Sequence, residues 1–494
     1  MKKKWIGILL GLLLCGGLVG GILWIIGIEE KEPVDPPSIS DVGIVYEDEK
    51  LRVYQFDPNR VEYLHIVNLY GEYKVRIDSN LGVVIDGFEA IPLLQASSKG
   101  LFNSVATVTL DTLIRADCTD LAEYGLAEPQ AVITIHTDKG EDYRFAIGNE
   151  TLNKNGYYMC VQGEDDVYLM NKLFSERYLR SVADYCDKKI YKFFDYETDF
   201  RQLEITGSDQ SMCVRTVTEE EQKTGLYFEG VILTSPFSAS ASRTSVDTIL
   251  SGLVGLNASR VEAVGVTEAD YSKYGLDNPV KVKISVYADP NPQYYNDQIN
   301  VYFDSTKPTG VYEEFTVTYY IGQTVEHETY LMYEDYPVVY TVSDETFSFL
   351  SQGTDWYCSR LIFGEYIYNV EELVFTYEGK NYAFQLQDAD SKDKMLVTCD
   401  GITVNSDDFR TLYGNLVAIS HYGLADLPEN AKEPYLRVTY HMVDGADVVV
   451  EFYEIDARNL FVSVGGEGHF SVLRTSVDKV IRDMFKVLAG ESVQ

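Results

Sequence analysis

Internal repetition constrains this chain more than any other feature. A Tyr-Gly-Leu tripeptide followed by proline occurs as Tyr124-Gly125-Leu126 with Pro129 and as Tyr274-Gly275-Leu276 with Pro279. A third copy, Tyr422-Gly423-Leu424, has its Pro434 delayed by an insertion. Successive glycines lie 150 and 148 residues apart. Self-similarity at a fixed period means that one structural unit is built several times. The tripeptide reads as the end of a short helix: Gly takes the left-handed conformation, Leu folds back on the last turn, and Pro stops continuation. Asp117 and Thr267, each eight residues before the glycine, are the expected N-caps.

A strand follows each proline. Val280, Val282, Ile284 and Val286 alternate with polar residues, as do Ile133 and Ile135 in copy one and Leu436, Val438 and Tyr440 in copy three. The apolar phase relative to Pro shifts by one residue in copy two, which predicts a different turn there. A second anchor ends the next strand: Ile147-Gly148-Asn149 and Ile321-Gly322-Gln323, whereas copy three has Ile455-Asp456 and no Gly. Gly275 to Gly322 exceeds Gly125 to Gly148 by 24 residues, placed near Asp289 to Gly310 and expected to be a long surface excursion. A third anchor is a hairpin, Tyr158 to Val167, Tyr330 to Val339 and Phe461 to Phe470, always with a separation of nine around turn-forming side chains. Tyr185-Cys186-Asp187-Lys188-Lys189-Ile190 and Tyr357-Cys358-Ser359-Arg360-Leu361-Ile362 sit where one unit hands over to the next.

Each unit opens with strands, Val61 to Val67, Leu203 to Thr206 and Leu373 to Tyr377. A helix precedes each tripeptide, near Ile91 to Val105, Ser245 to Leu256 and Ser406 to Ile419. Strands on both sides of a helix, joined by tight turns, predict an α+β unit with a mainly antiparallel sheet. The expected organisation is 1–28 cytoplasmic lysines and a transmembrane helix, 29–58 an acidic stalk, and three α+β repeats at 59–198, 199–368 and 369–494, the last shortened.

The N-terminus supplies an address. Lys2, Lys3 and Lys4 precede 24 uncharged residues, Trp5 to Ile28, long enough as a helix to cross a hydrocarbon core of about 30 Å. The run is too long for a cleaved signal peptide. The leucines before Cys15 do not suit lipid attachment, so Cys15 reads as a membrane-helix residue. Positive residues stay inside, which predicts a single-pass protein of the cell membrane with residues 29–494 extracytoplasmic. Glu29 to Lys50, with Pro33, Pro36 and Pro37, reads as an extended stalk. Overall, 41 basic and 77 acidic residues give a net charge of −36. Nucleic acid is excluded as a partner, because its binding needs a basic footprint. Six exterior cysteines permit disulfides, but they are too sparse to carry the fold.

The search for chemistry yields no catalytic, cofactor-binding or metal residue. His65, His136, His327, His421, His441 and His469 form no HExxH pair and do not recur between copies. Glu326-His327-Glu328 reads as a polar turn, since consecutive extended side chains face opposite ways. His136 and His441 fall on strand faces. Cys186 and Cys358 recur at matched places, which reports shared packing more simply than two nucleophiles. Asp388 to Asp393 resembles a calcium loop but has Lys392 where a ligand belongs, and reads as a β-turn. No GxSxG elbow, SxxK motif or Gly-rich phosphate loop is present. No cofactor is expected beyond weak divalent-cation binding by the acidic surface.

The set of anchors, Leu121 to Pro129 with Ile147-Gly148-Asn149 and Val167-Tyr168, and Tyr274 to Pro279 with Ile321-Gly322-Gln323 and Val339-Tyr340, resembles the domain-of-unknown-function 4340 family. Copy three departs from it in the insertion before Pro434 and the missing second glycine. The resemblance implies a membrane-anchored protein exposed outside the cytoplasmic membrane, in some members an auxiliary component of gliding-type ABC transporters. It brings no catalytic residue. The resulting expectation is a non-catalytic interaction protein, held to the membrane through residues 5–28, whose partner is an ABC transporter permease or another envelope protein. A cell-surface hydrolase of envelope polymers and a structural or glycan-binding spacer are the alternatives.

Overall fold

The computed structural model describes residues 45–47, 50–55, 57–78, 82–190, 199–207, 211–253, 256–289, 312–333, 336–429 and 431–494. The expected membrane helix, most of the stalk and nearly all of the Asp289 to Gly310 excursion lie outside these residues. Among the described residues no helix is long and apolar enough to cross a membrane. The chain divides into two compact bodies, one of residues 1–75 and 99–179, the other of residues 76–98 and 180–494.

The larger body contains two nine-stranded sheets. In the first of them the strands are, in chain order, Asp199–Thr206, Met212–Thr216, Val231–Ser235, Ala239–Ser240, Arg260–Val264, Val280–Ala288, Glu313–Val325, Glu328–Tyr333 and Val338–Ser343. Numbered in that order, they lie side by side as 4-3-2-1-6-7-8-9-5. The other sheet uses Val370–Tyr377, Lys380–Gln387, Leu396–Cys399, Ile402–Val404, His421–Leu424, Leu436–Met442, Val448–Glu454, Asn459–Val464 and Glu467–Leu473, in the same spatial order. In the first repeat, Val61–Asn68, Gly71–Asp78, Thr112–Arg115, Ala131–Thr137, Asp142–Glu150, Gly156–Val161 and Val167–Asn171 follow the corresponding 2-1-6-7-8-9-5. Every registered pair joining the first, sixth, seventh, eighth and ninth strands is antiparallel. A small sheet of Val45–Glu47, Lys50–Gln55 and Thr107–Leu110 is additional.

Alternation in the sixth strand sets the core. Val282, Ile284 and Val286, then Ile133 and Ile135, then Leu436, Val438 and Tyr440 are all buried, as their spacing predicts. The strand after Pro279 starts one residue sooner than the strand after Pro129, which accounts for the shifted phase. One helix per sheet runs from the edge at strand four to the opposite edge at strand five. Arg243–Leu253 turns Val246, Ile249 and Leu253 inward, and Ser406–Val417 turns Phe409, Leu412, Tyr413 and Leu416 inward. The matching helix of the first repeat is Gln95–Ala106.

The helix-end reading holds in two copies. Gly125 and Gly275 both have φ of +69°, and the Leu126 and Leu276 amides donate back to the Leu121 and Tyr271 carbonyls at 2.9 Å. Thr267 caps as expected, in a reciprocal capping box with Asp270. Asp117 does not: it sits at φ +47°, and Asp120 is the cap, accepting from the Ala122 amide. The two glycine anchors of each repeat form one contact. A Cβ on Gly148 would meet the Tyr124 carbonyl at 2.3 Å, and one on Gly322 the Tyr274 carbonyl at 2.2 Å. The strand must lack a side chain where it passes the capped turn.

Tyr422-Gly423-Leu424 is a correction. It is not a helix end but the strand His421–Leu424, and nothing lies within 4 Å of a Cβ built on Gly423. With no capped turn to accommodate, the third repeat needs no glycine where Ile455-Asp456 stands. The third repeat is the shortest in residues yet keeps all nine strands, and it ends in the longest described helix, Arg474–Ala489. The three hairpins form where expected, as strands Gly156–Val161 with Val167–Asn171, Glu328–Tyr333 with Val338–Ser343, and Asn459–Val464 with Glu467–Leu473.

Candidate interface at the repeat junctions

The recurring Tyr-Cys segments build the most specific feature of the larger body. After Tyr185 the chain runs extended, and it pairs on both sides. The Leu94 amide donates to the Tyr185 carbonyl at 2.8 Å and the Asp187 amide to the Pro92 carbonyl at 2.7 Å. Farther along, the Ile190 amide donates to the Leu256 carbonyl at 2.9 Å and the Ala258 amide to the Lys188 carbonyl at 2.7 Å. The linker therefore clasps the start of one helix and the exit of the next.

The same four bonds recur at the second junction. Ser242 donates to Tyr357 at 2.8 Å, Ser359 to Ser240 at 2.8 Å, Ile362 to Ile419 at 3.2 Å and His421 to Arg360 at 2.9 Å. Isolated bridges mark the equivalences: Leu93 with Cys186 and Ala241 with Cys358 on one side, Lys189 with Asn257 and Leu361 with Ser420 on the other. Cys186 and Cys358 occupy the centre of the clasps. Burial pushes each thiol up to about 12, so they are inert packing residues at neutral pH. All six described cysteines are free thiols.

Aromatic rings reinforce both clasps. A Cβ on Gly265 would meet the Phe88 ring at 2.7 Å. At the second junction Phe237 stacks on His469 at 4.0 Å between centroids and meets Phe470 edge-on at 6.0 Å. A solvent-open cleft of about 560 Å³ lies beside these rings. Leu226, Leu361, Ile362 and Val464 form its apolar wall, and Tyr227, Ser240, Glu467 and His469 its polar one. The Ser240 hydroxyl is buried there without a hydrogen-bond partner. Ser359 and the Arg243 amide both donate to Glu229, at 2.5 and 2.6 Å, fixing linker and helix start to one carboxylate.

The other sequence candidates are dispersed. Glu326 and His327 form the tight turn between strands seven and eight, with φ of +49° and +67°, and His327 Nδ1 lies 3.0 Å from Asp344. Asp388 to Asp393 forms turns that hold no metal-ligand set, and no group of three potential ligands occurs among the described residues. The histidines do recur, contrary to the expectation. His136 Nδ1 lies 2.7 Å from Asp142 with Nε2 3.7 Å from Glu62, and His441 Nδ1 lies 2.8 Å from Asp447 with Nε2 3.6 Å from Glu372. Both follow a first-strand register shift at the same place, and the second repeat has Ser285 bonded to Thr316 there at 2.8 Å. The shared His-to-Asp spacing of six residues is the sequence signal that reveals this pair.

The family model for a Domain of unknown function (DUF4340) matches residues 89–279 and 232–436. The matches start 143 residues apart, close to the 150 separating Gly125 from Gly275, so they register the repeat. No curated protein and no solved structure matches the chain. With well over half of its length matched, the chain belongs to the Domain of unknown function (DUF4340) family.

Proposed function

We propose that the chain is a membrane-anchored extracytoplasmic protein that works by binding, as an accessory component of an ABC transporter complex. The observation that carries this reading is the strand order repeated in three sheets, with the same paired linker recurring in the larger body. Repeated units are a common way for a chain to build a broad surface for a large partner. Lys2 to Lys4 and the run from Trp5 to Ile28 support the anchor and its orientation. The acidic exterior favours a partner with basic patches, and association is then slowed by salt.

Two measurements test this reading. Protease added to intact wall-stripped cells should digest the large extracytoplasmic part; full protection of residues 29–494 would sink the topology. Affinity capture of the full-length protein from detergent-solubilised membranes should recover a transporter permease. Hydrolytic turnover by residues 29–494, abolished by one carboxylate substitution that leaves the fold intact, would overturn the binding role.

A further inference from the structure

The two clasps differ at one buried position. Ala258 and His421 are equivalent: each amide donates to the linker carbonyl three residues after its tyrosine, Lys188 and Arg360. Ala258 shows that this backbone bond needs no imidazole. His421 nevertheless places one there, 4% exposed, with neither ring nitrogen hydrogen-bonded. Its ring stacks on Phe470 at 4.7 Å, and through Phe470 it joins the Phe237–His469 pair. The imidazole is thus one end of a four-ring cluster, two stacked pairs meeting edge-on, that ties the second sheet to the third.

On balance the surroundings of the ring disfavour a second proton. From the linker, Arg360 repels positive charge; from the turn Thr354–Tyr357, Asp355 offsets this in part. From the strand Glu467–Leu473, His469 lies at the far end of the stack, where Glu467 and Asp426 act on it. The residues following His421 on its own strand, Tyr422, Gly423 and Leu424, bring no charge. Desolvation, aided by Arg360, holds the His421 ring below the ordinary histidine value.

We propose that His421 is an acid-sensitive wedge: its protonation opens the second junction, releasing the linker clasp and the adjoining cleft, while the first junction stays closed. In the closed state the ring is kept neutral. In the open state it meets water and takes up a proton near its ordinary value of about 6.5. Opening then binds one proton, so the closed junction is secure above that value and weakens as pH falls below it, by up to about tenfold per pH unit.

Hydrogen exchange on the full chain, followed from pH 7.5 to pH 5 and corrected for intrinsic rates, tests this within one molecule. Protection at Ile362 and His421 should fall by up to about tenfold per pH unit below about 6.5, while Ile190 and Ala258 hold theirs. His421→Ala, which installs the residue of the first junction, should abolish the difference. His421→Phe retains the stack without a titrating group and should do the same if the alanine variant folds poorly. Parallel loss of protection at both junctions, or a pH dependence that survives both substitutions, would overturn the proposal.

Discussion

Replacing Gly275 by alanine separates a helix-end glycine from an incidental one. At φ +69° a Cβ is disfavoured by about 1–2 kcal/mol. The new methyl would also lie 2.7 Å from the backbone nitrogen of Gln323 and 3.0 Å from its Cβ. Those atoms belong to the strand that carries Gly322, where even a Cβ would meet the Tyr274 carbonyl at 2.2 Å, so they have little room to retreat. Overpacking of this kind costs about 1–3 kcal/mol. The sum is about 2–5 kcal/mol, which corresponds to roughly 30- to 4,000-fold less protection in hydrogen exchange. The amides of Val280–Ala288 and Glu313–Val325 in the folded chain are the ones to follow. Gly423→Ala is the control: the position is in a strand, open around a built Cβ, and should shift protection by no more than about twofold, in keeping with ordinary surface changes of about 0.5 kcal/mol or less. Equal protection in Gly275→Ala and the unaltered chain would refute the reasoning, as would equal losses in the two variants.

Two further outcomes follow from the same geometry. Iodoacetamide at pH 8 should leave Cys186 and Cys358 unmodified in the native chain and alkylate both in guanidinium chloride, since burial keeps the thiols protonated; peptide mass spectrometry showing rapid native alkylation would contradict the clasp. Glu221, drawn down to about 2 chiefly by Arg215 and then by the Thr218 cap, contributes stability that is present above its unfolded value of about 4.3 and lost as pH falls toward 2. With the pair partly exposed, Glu221→Gln should cost the adjoining turn no more than about 1 kcal/mol at pH 7 and nothing well below pH 2; a local exchange difference that persists undiminished as pH falls through 2 would exclude the carboxylate as its source.

The sequence disclosed what is local and hid what is paired across distance. Alternation at Val282, Ile284 and Val286 named the core of the sixth strand because burial of one sheet face is a period-two property. Thr267 was legible as a cap, whereas Asp117 was misplaced because counting back from Gly125 ignored the shorter helix that Asp120 begins. Tyr422-Gly423-Leu424 misleads because a tripeptide does not state its backbone conformation, and the delayed Pro434 and the missing glycine at Ile455-Asp456 are the sequence signs of the difference. The clasps were invisible: Cys186 announced a shared place, but its partner Leu93 and its neighbour's partner Asn257 lie many tens of residues away on either side. The equivalence of His136 and His441 lies in strand register, which the spacing of the glycines does not carry.

The clasps also fix where this chain can be divided. Each linker is shared property, with half of its bonds to the repeat before it and half to the repeat after it. A cut between the sheets, at 198/199 or 368/369, orphans the four carbonyls and amides on one side of a junction and exposes Cys186 or Cys358. Fragments framed differently escape this. The interval 89–279 holds Pro92, Leu94, the 185–190 linker, Leu256 and Ala258, and the interval 232–436 holds Ser240, Ser242, the 357–362 linker, Ile419 and His421. Each family match therefore encloses one whole clasp and parts of two sheets. A fragment that keeps a junction intact is therefore framed on the joint and its two flanks, out of phase with the sheets.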